Sequence, residues 1–200
     1  KRLSDFFEAV ERDECGRATS VAEEIEFFRR RIKDAAYLLD MQEAGLLPTR
    51  VTHNDTKYNN IMIDDATGEA LCVIDLDTVM PGLSAYDYGD AIRFAASSAV
   101  EDETDLSKVY LDMSLFELFT GGFVSASTGL LTDTELEVLP WGARIITLEL
   151  ASRFLADHIN GDKYFKIHRE NHNLDRARCQ MALVLDMEKR FSEMEAICRK

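Results

Sequence analysis

The most informative part of this chain is a pair of segments, VTHNDTKYNNIMID at 51–64 and VIDLDTVMPG at 73–82. Each of them places acidic and amide side chains directly beside an apolar run of the kind that forms a short strand. The polar, glycine-containing stretch at 64–69, between the two apolar runs, has the composition of a turn. The sequence therefore predicts two short strands joined in a hairpin, with a polar loop at the open end of each strand.

The spacing of the polar residues indicates a particular chemistry. His53, Asp55 and Asn60 form the pattern H-x-D-x-x-x-x-N, and Asp75 follows the second apolar run. Kinase catalytic loops have nearly this spacing, with an Asp that accepts the substrate hydroxyl proton and an Asn that binds Mg²⁺. A second Asp of kinases, which follows the next strand, also binds Mg²⁺. The predicted hairpin brings Asn60 and Asp75 together because they flank its two strands.

Each of these residues also has a purely structural explanation, since Asp and Asn beside a strand commonly bind nearby backbone. Order, spacing and the intervening hairpin together favour the catalytic interpretation, with Asp55 as the base and with Asn60 and Asp75 as Mg²⁺ ligands. The lysine at position 57 fits a place near the transferred phosphate as well as it fits a solvated loop. The predicted supporting residues are His53, Lys57 and Asp77.

The composition excludes some classes of function. The chain has 200 residues, is 46% hydrophobic and carries a formal charge of −14. This length suits one domain or a large lobe, and the negative charge disfavours binding to nucleic acid. A bound nucleotide would need Mg²⁺ and locally placed basic groups. No run approaches the roughly 20 apolar residues of a membrane span, and no signal peptide is visible, so neither a membrane nor a nucleic-acid partner is expected.

The cysteines at positions 15, 72, 179 and 198 form no C-x-x-C pair, so no zinc or redox motif is present. Free thiols predict a cytoplasmic location. Cys72 lies in the apolar run of the second predicted strand and is expected in the core.

Apart from the hairpin, the sequence pattern is mainly helical. Helices are predicted over 21–44, 84–95, 105–123, 133–158 and 174–198. The ten glycines never form G-x-G-x-x-G, and no β-rich stretch precedes residue 20. The fold class is therefore α+β and mainly α. We expect residues 1–200 to be the C-terminal lobe of a protein-kinase-like fold, with long helices around a short hairpin that bears the catalytic and metal loops. The N-terminal nucleotide-binding lobe would be lacking.

The runs HNDTKYNNIMID and VIDLDTVMPGLSAYDYGDAIR resemble the aminoglycoside phosphotransferase and choline kinase superfamily. Within it they are most similar to the N-acetylhexosamine 1-kinases. The extended run DLDTVMPG, with YDYGDAIR after it, is more specific to that branch than the short superfamily motif. A later stretch, ASRFLADHINGDKYFKIHRENHNLDRARCQ at 151–180, is also similar to that branch.

The resemblance implies an ATP-dependent sugar kinase in which Asp55 is the base for the anomeric hydroxyl. It implies that Arg153 and Tyr164 contact the hexosamine, and that the small-molecule sugar and nucleotide are the partners. Full activity would require the protein's own N-terminal lobe. From the residues alone, a salt bridge from Arg153 to Asp157, four positions on, is the simpler explanation of this arginine.

Several alternatives stay open at this point. The acceptor could be choline, homoserine or an aminoglycoside, since a cationic acceptor suits an acidic protein. A non-catalytic kinase-like module is a second alternative, against which the complete set of catalytic residues argues. A metal hydrolase is the weakest, because histidine ligands are missing near the cluster. The carboxylates at positions 87 and 90 are expected to cap a helix and tie down the catalytic loop rather than to react.

Overall fold

The computed structural model describes residues 2–199. Most of them lie in helices: α1 (Arg2–Arg12), α2 (Ala22–Arg29), α3 (Ile32–Glu43), α4 (Ser84–Ala95), α5 (Met113–Ala126), α6 (Asp133–Glu137), α7 (Leu139–Ile159), α8 (His172–Lys189) and α9 (Phe191–Cys198). The strands are β1 (Arg50–Thr52), β2 (Ile61–Ile63), β3 (Ala70–Val73) and β4 (Met80–Gly82). The mainly helical α+β class is thereby confirmed. Between residues 2 and 199, no helix has the length and apolar character that crossing a bilayer requires.

The chain divides into two compact units. The first unit contains the chain up to Tyr37 together with Ser98–Leu111 and Thr147–Lys189. The second unit contains Leu38–Ser97 and Asp112–Ile146, and continues from Arg190 onward. Both catalytic segments predicted from the sequence belong to the second unit.

The first unit has an apolar core made by α1, α2, α7 and α8. Its buried members include Phe6, Phe28, Leu148, Phe154, Leu155 and Val184. The rings of Phe6 and Phe28 pack at 4.8 Å between centroids.

In the first unit, the helix predicted over 21–44 is broken at Arg30 and Arg31. In a continuous helix the Arg31 N–H would donate to the carbonyl of Phe27. Here the Arg31 guanidinium donates to the Phe27 carbonyl at 2.9 Å. The Arg31 N–H donates instead to the carbonyl of Phe28, also at 2.9 Å. The Arg31 side chain also binds both carboxylate oxygens of Glu188, which fixes the turn between α2 and α3.

The core of the second unit surrounds the fully buried side chain of Tyr88 on α4. Phe116 and Phe123 of α5 lie 6.3 and 5.1 Å from its ring, measured between centroids. The Tyr88 hydroxyl pairs with Thr120 Oγ1 at 2.7 Å, so its polar end is satisfied inside the core. This packing fixes α4, which runs beneath the predicted catalytic loop.

Helices α4 and α7 approach closely at a pair of glycines. A Cβ placed on Gly89 would meet the backbone of Gly142, and a Cβ on Gly142 would meet the carbonyl group of Ala85. Backbone atoms cannot move aside as a flexible side chain does, so these two positions need glycine. In this region the helix predicted over 133–158 is interrupted at Val138, which lies between α6 and α7. Pro140 lies in the first turn of α7, where its missing N–H costs least.

The helix predicted over 105–123 is also revised. It begins at Met113, because Asp112 caps it by accepting the N–H groups of Ser114 and Leu115 at 2.9 and 3.1 Å. It continues to Ala126, so the glycines at 121 and 122 lie inside it and do not end it.

The predicted hairpin is present. Strands β2 and β3 pair antiparallel, with Ile61 opposite Val73 and Met62 opposite Cys72. Their apolar side chains are exposed, however, and Cys72 is exposed too, so the expectation that it lies in the core is wrong. A hairpin this short has too few residues to cover its own two faces. All four cysteines are free thiols.

Candidate active site

Two short loops make up the candidate site, and each is held at both ends by a sheet. The first loop runs from β1 to β2, and the second runs from β3 to β4. Strands β1 and β4 pair antiparallel, as do β2 and β3. The starts and ends of the two loops are therefore fixed beside each other, which is why residues 53–60 meet residues 74–79. The pairing of β1 with β4 was not predicted from the sequence.

The first loop is tied to α4 through backbone N–H groups. Asp87 accepts the N–H groups of His53 at 2.7 Å and Asn54 at 2.8 Å. Asp90 accepts the N–H of Thr56 at 3.0 Å, and the Thr56 hydroxyl donates to the Asp87 carbonyl at 2.6 Å. Burial raises the pKa of Asp87, and the hydrogen bonds from the N–H groups of His53 and Asn54 offset this rise only in part. The loop-tethering role expected for these carboxylates is thus visible in the contacts on both sides of Asp55.

Asp55 holds its carboxylate between a cation and an amide. Lys57 Nζ donates to Asp55 Oδ2 at 2.8 Å, and Asn60 Nδ2 donates to the same oxygen at 2.9 Å. Within residues 2–199, nothing donates to Asp55 Oδ1. Burial raises the pKa of Asp55, but the hydrogen bonds from Lys57 and Asn60 outweigh it and leave the pKa below its ordinary value. The carboxylate is therefore ionised at neutral pH, with one oxygen available to a substrate.

Contacts at Ile74 join the second loop to the first. His53 Nε2 lies 2.9 Å from the carbonyl of Ile74, which can only accept, so this nitrogen carries the proton. The Ile74 N–H donates to the carbonyl of Asn60 at 2.9 Å. The Thr78 hydroxyl donates to the carbonyl of His53 at 2.6 Å. His53 thus links the two loops, and Asp75 follows directly after Ile74, which makes the contact with Asn60.

Asp75 has a left-handed backbone, with φ 63° and ψ 57°. This conformation is uncommon for a residue other than glycine and is often found at functional sites. In the described chain the Asp75 carboxylate accepts no hydrogen bond. The same holds for Asn60 Oδ1, since it is the amide nitrogen of Asn60 that makes the contacts to Asp55. Carboxylate and amide oxygens are ligands that Mg²⁺ accepts. These atoms therefore fit a magnesium ion.

The described residues hold no group of three or more His, Cys, Asp or Glu side chains arranged to bind a metal. Asn60 and Asp75 would provide only two protein ligands between them. This count is what Mg²⁺ at a nucleotide site uses, because phosphate oxygens and water fill its remaining positions.

Two further residues of these loops are informative. Asp77, which was predicted as a supporting residue, is exposed, and within the described residues its carboxylate accepts no hydrogen bond. Thr78 braces the loop instead. Asn54, which was not predicted, has φ 63° and donates to the carbonyls of Thr52 at 3.2 Å and Thr78 at 3.0 Å. The ability of Asn to adopt a left-handed backbone was the one sequence signal for it.

A cleft of about 340 Å³ lies beside these groups. Its lining includes the polar residues His53, Asp55, Lys57 and Asn60 together with apolar side chains such as Val73 and Leu76. The cleft therefore offers a ligand both the Asp55 carboxylate and apolar contact.

A half-buried ion pair anchors the strand that leads into the first loop. Arg50 of β1 donates to both carboxylate oxygens of Glu135, at 3.0 and 2.7 Å. Glu135 also accepts from Ser84 Oγ at 3.0 Å and from the N–H of Thr132 at 2.9 Å. Burial raises the pKa of Glu135, but these donors outweigh it and lower the pKa to about 2. One side chain thus joins β1 to the starts of α4 and α6.

The two residues implied as sugar contacts lie in the first unit. Arg153 is on α7, and Tyr164 is in the loop that follows it. The Arg153 guanidinium lies 5.9 Å from the ring centre of Tyr164 and 5.4 Å from that of Phe165. Both line a cleft of about 280 Å³. The salt bridge from Arg153 to Asp157 is not formed, because Asp157 binds the backbone of the loop instead.

The structure thus brings Asp55, Lys57 and Asn60 into contact, and it places Asp75 directly after Ile74, whose N–H donates to the Asn60 carbonyl. Comparison with known protein families agrees with this chemistry. The sequence model of the phosphotransferase enzyme family matches residues 2–111, which include both loops of the candidate site and α4. The match extends over more than half of the chain, and the chain therefore belongs to the phosphotransferase enzyme family.

Proposed function

We propose that this protein transfers the γ-phosphoryl group of ATP to the C1 hydroxyl of an N-acetylhexosamine. The observation that carries the phosphotransferase part is the Asp55 carboxylate, which is ionised and keeps Oδ1 open to the cleft while Lys57 and Asn60 hold Oδ2. Family membership supports the same reaction class. The choice of acceptor rests on the resemblance of residues 73–93 and 151–180 to sugar 1-kinases.

Asp55 would accept a hydrogen bond from the acceptor hydroxyl at Oδ1 and take its proton as the new P–O bond forms. Its lowered pKa makes it a weak base, which suits this reaction. Phosphoryl transfer has a loose transition state and depends on positioning more than on early proton removal. The hydrogen bonds to Oδ2 and the tethering of the neighbouring backbone by Asp87 restrict the direction in which Oδ1 points.

Asn60 Oδ1 and the Asp75 carboxylate are the atoms that would hold Mg²⁺. The ion, when bound, neutralises charge on the phosphates. Lys57 adds a positive charge next to Asp55, and its pKa is raised mainly by the hydrogen bond to that carboxylate, so it stays protonated. A protonated Lys57 can attract the transferred phosphate, which supports the first of its two open interpretations.

The reaction is tested by supplying labelled ATP with a panel of acceptors: GlcNAc, GalNAc, choline, homoserine and an aminoglycoside. The assay uses protein that includes the nucleotide-binding lobe that the resemblance implies. We expect transfer to the two hexosamines at C1. Transfer to choline or an aminoglycoside, with none to a hexosamine, would show that the proposed acceptor is wrong. The assignment as a kinase would still hold.

The base assignment is tested by Asp55→Asn. General-base groups contribute about 10²- to 10⁴-fold in rate, so kcat should fall by about that factor with an unchanged fold. Wild-type turnover in this variant would show that Asp55 is not the base. Asp77→Asn is the matched control, since Asp77 is an exposed carboxylate in the adjacent loop, and it should keep nearly full activity.

The metal assignment is tested by Asp75→Ala, which should abolish Mg²⁺-dependent nucleotide binding in a titration. Unchanged binding would rule out the metal role of Asp75. The same titration on the unaltered protein separates an enzyme from a non-catalytic kinase-like module. A module without catalytic function would show neither magnesium-dependent nucleotide binding nor transfer to any acceptor. The cytoplasmic location expected from the free cysteines stays a prediction.

A further inference from the structure

The loop between α7 and α8 has an unusual backbone. Gly161 and Asp162 both have positive φ, at 92° and 58°. Asp162 is not a glycine, so this conformation persists only where the surroundings hold it in place. The residues that follow, 163–165, carry the tyrosine and phenylalanine that line the cleft of the first unit.

One carboxylate holds this loop. Asp157 is 6% exposed. Its Oδ1 accepts the N–H groups of Lys163 and Tyr164 at 2.9 and 2.8 Å, and its Oδ2 accepts the N–H of Phe165 at 2.9 Å. Three consecutive backbone donors therefore converge on a single buried anion. Hydrogen bonds to an ionised acceptor are roughly twice as strong as neutral ones.

A second layer of contacts fixes Asp157 and the turn together. Asn173 of α8 is fully buried, and its Nδ2 donates to Asp157 Oδ2 and to Asp162 Oδ1, both at 2.9 Å. Arg17 Nη1 donates to Asp162 Oδ2 at 2.6 Å and to the carbonyl of His158 at 2.8 Å. The strained turn is thus held from two sides by side chains of the first unit.

This rigid loop presents an exposed aromatic ring. Tyr164 is 74% exposed. Its ring meets that of Phe165 edge-on at 4.8 Å, and Phe165 in turn packs at 4.6 Å on the buried Phe154. The Arg153 guanidinium lies over both loop rings. The loop thus combines a fixed backbone with a large aromatic side chain that is left in water, where it is available to a ligand.

We propose that Asp157 is a positioning residue for the acceptor. By fixing the backbone of residues 163–165, its carboxylate holds the Tyr164 ring beside Arg153 before the acceptor binds. The ring offers a flat apolar face to a pyranose, and the guanidinium offers donors to sugar oxygens. This inference rests on the proposed function. A preformed wall lowers the entropy lost on binding, so Asp157 contributes to acceptor affinity and not to the transfer step.

The test is Asp157→Asn, which keeps the size of the side chain but replaces one acceptor oxygen by a donor that faces backbone N–H groups. We expect the KM for the hexosamine to rise about tenfold, and hydrogen exchange of the amides of Lys163, Tyr164 and Phe165 to accelerate. The KM for ATP and kcat at saturating acceptor should stay within about twofold of wild type. Tenfold in affinity corresponds to about 1.4 kcal/mol.

Two controls separate positioning from general loss of stability. Glu188→Gln removes a carboxylate that binds Arg31 through both oxygens elsewhere in the first unit, and it should leave the acceptor KM unchanged. Tyr164→Ala removes the ring itself. If Tyr164→Ala raises the acceptor KM but Asp157→Asn does not, the positioning role is wrong. If neither raises it, the proposed acceptor site fails.

Two further outcomes would overturn the inference. Equal changes in the KM for ATP, the acceptor KM and kcat in Asp157→Asn would indicate a structural role alone. The second outcome needs no variant, so it holds even if Asp157→Asn does not fold. In the unaltered protein without acceptor, the amides of Lys163, Tyr164 and Phe165 should already be protected from exchange. Protection that arises only when GlcNAc is added would show that the loop is not preformed.

Discussion

Replacing Glu135 by Gln should destabilise the second unit in a pH-dependent way. Burial disfavours the Glu135 carboxylate, but the donors from Arg50, Thr132 and Ser84 outweigh that cost and lower the pKa from 4.5 to about 2. Each tenfold change in the proton dissociation constant corresponds to about 1.4 kcal/mol. The ionised Glu135 therefore stabilises the folded state by at most about 3 kcal/mol at pH 7. Because the Arg50 side chain is 35% exposed, solvent screening reduces this to about 2–3 kcal/mol.

The pH window follows from the direction of the shift. The folded pKa of Glu135 lies below the unfolded one, so its stabilising contribution is complete well above pH 4.5 and is lost as the pH falls toward 2. The difference in stability between wild type and Glu135→Gln should therefore be largest at pH 7 and should shrink by more than half at pH 3.

Urea unfolding measures this difference. Trp141 is the only tryptophan of the chain, lies in the same unit and packs on Phe191 at 5.0 Å, so its fluorescence reports unfolding there. With a slope of about 1–3 kcal/mol per molar urea, the midpoint should move by about 1–2 M at pH 7. Glu137→Gln makes the same charge change at an exposed position of α6, and its midpoint should barely move. A destabilisation by Glu135→Gln that is equal at pH 7 and pH 3 would refute the reasoning.

Two more predictions concern the site and its support. Lys57→Met removes a donor that lowers the pKa of Asp55, so the acidic limb of the kcat–pH profile should move to higher pH; a limb that stays in place would mean that Lys57 does not tune the base. Gly142→Ala forces a Cβ into the backbone of α4 and should cost about 1–3 kcal/mol or more of stability by denaturant titration. Gly121→Ala, inside α5 with open space around it, should instead gain about 0.5–1 kcal/mol. Equal effects of the two glycine changes would show that the close approach of α4 and α7 is not tight.

The hairpin and its flanking loops could be predicted because their chemistry and their local pattern agree. Apolar runs of three or four residues, separated by a Gly-containing turn, specify a hairpin, and the polar residues at its open end follow kinase spacing. Strands β1 and β4 could not be found in this way. Each has three residues, which is too short to show an alternating pattern, and their pairing joins segments 30 residues apart.

The missed helix ends have a different origin. Asp105 and Asp112 are equally good caps by residue type. Asp105 caps only the short 3-10 turn Leu106–Lys108, and Asp112 caps α5. The break at Arg31 depends on its guanidinium reaching a carbonyl of its own helix and a partner on α8, which no local pattern reveals. Asp157 shows the same limit. Its four-residue spacing from Arg153 is typical of a surface salt bridge, yet the carboxylate is buried and bound to the loop.

Both loops of the candidate site are flanked by paired strands, and this arrangement also determines where the chain can accept inserted residues. An added residue within 53–60 or 74–79 would either displace the hydrogen bonds that tie these loops to α4 and to each other, or slip the pairing of β1 with β4 or of β2 with β3. A slip by one residue turns side chains to the opposite face. The hairpin turn has no such constraint. Asp64 and Gly68 close it through their own hydrogen bonds, and its residues are mostly exposed. Insertions, including a reporter peptide, are therefore best tolerated at 65–67, where the hydrogen bonds stay within the turn itself.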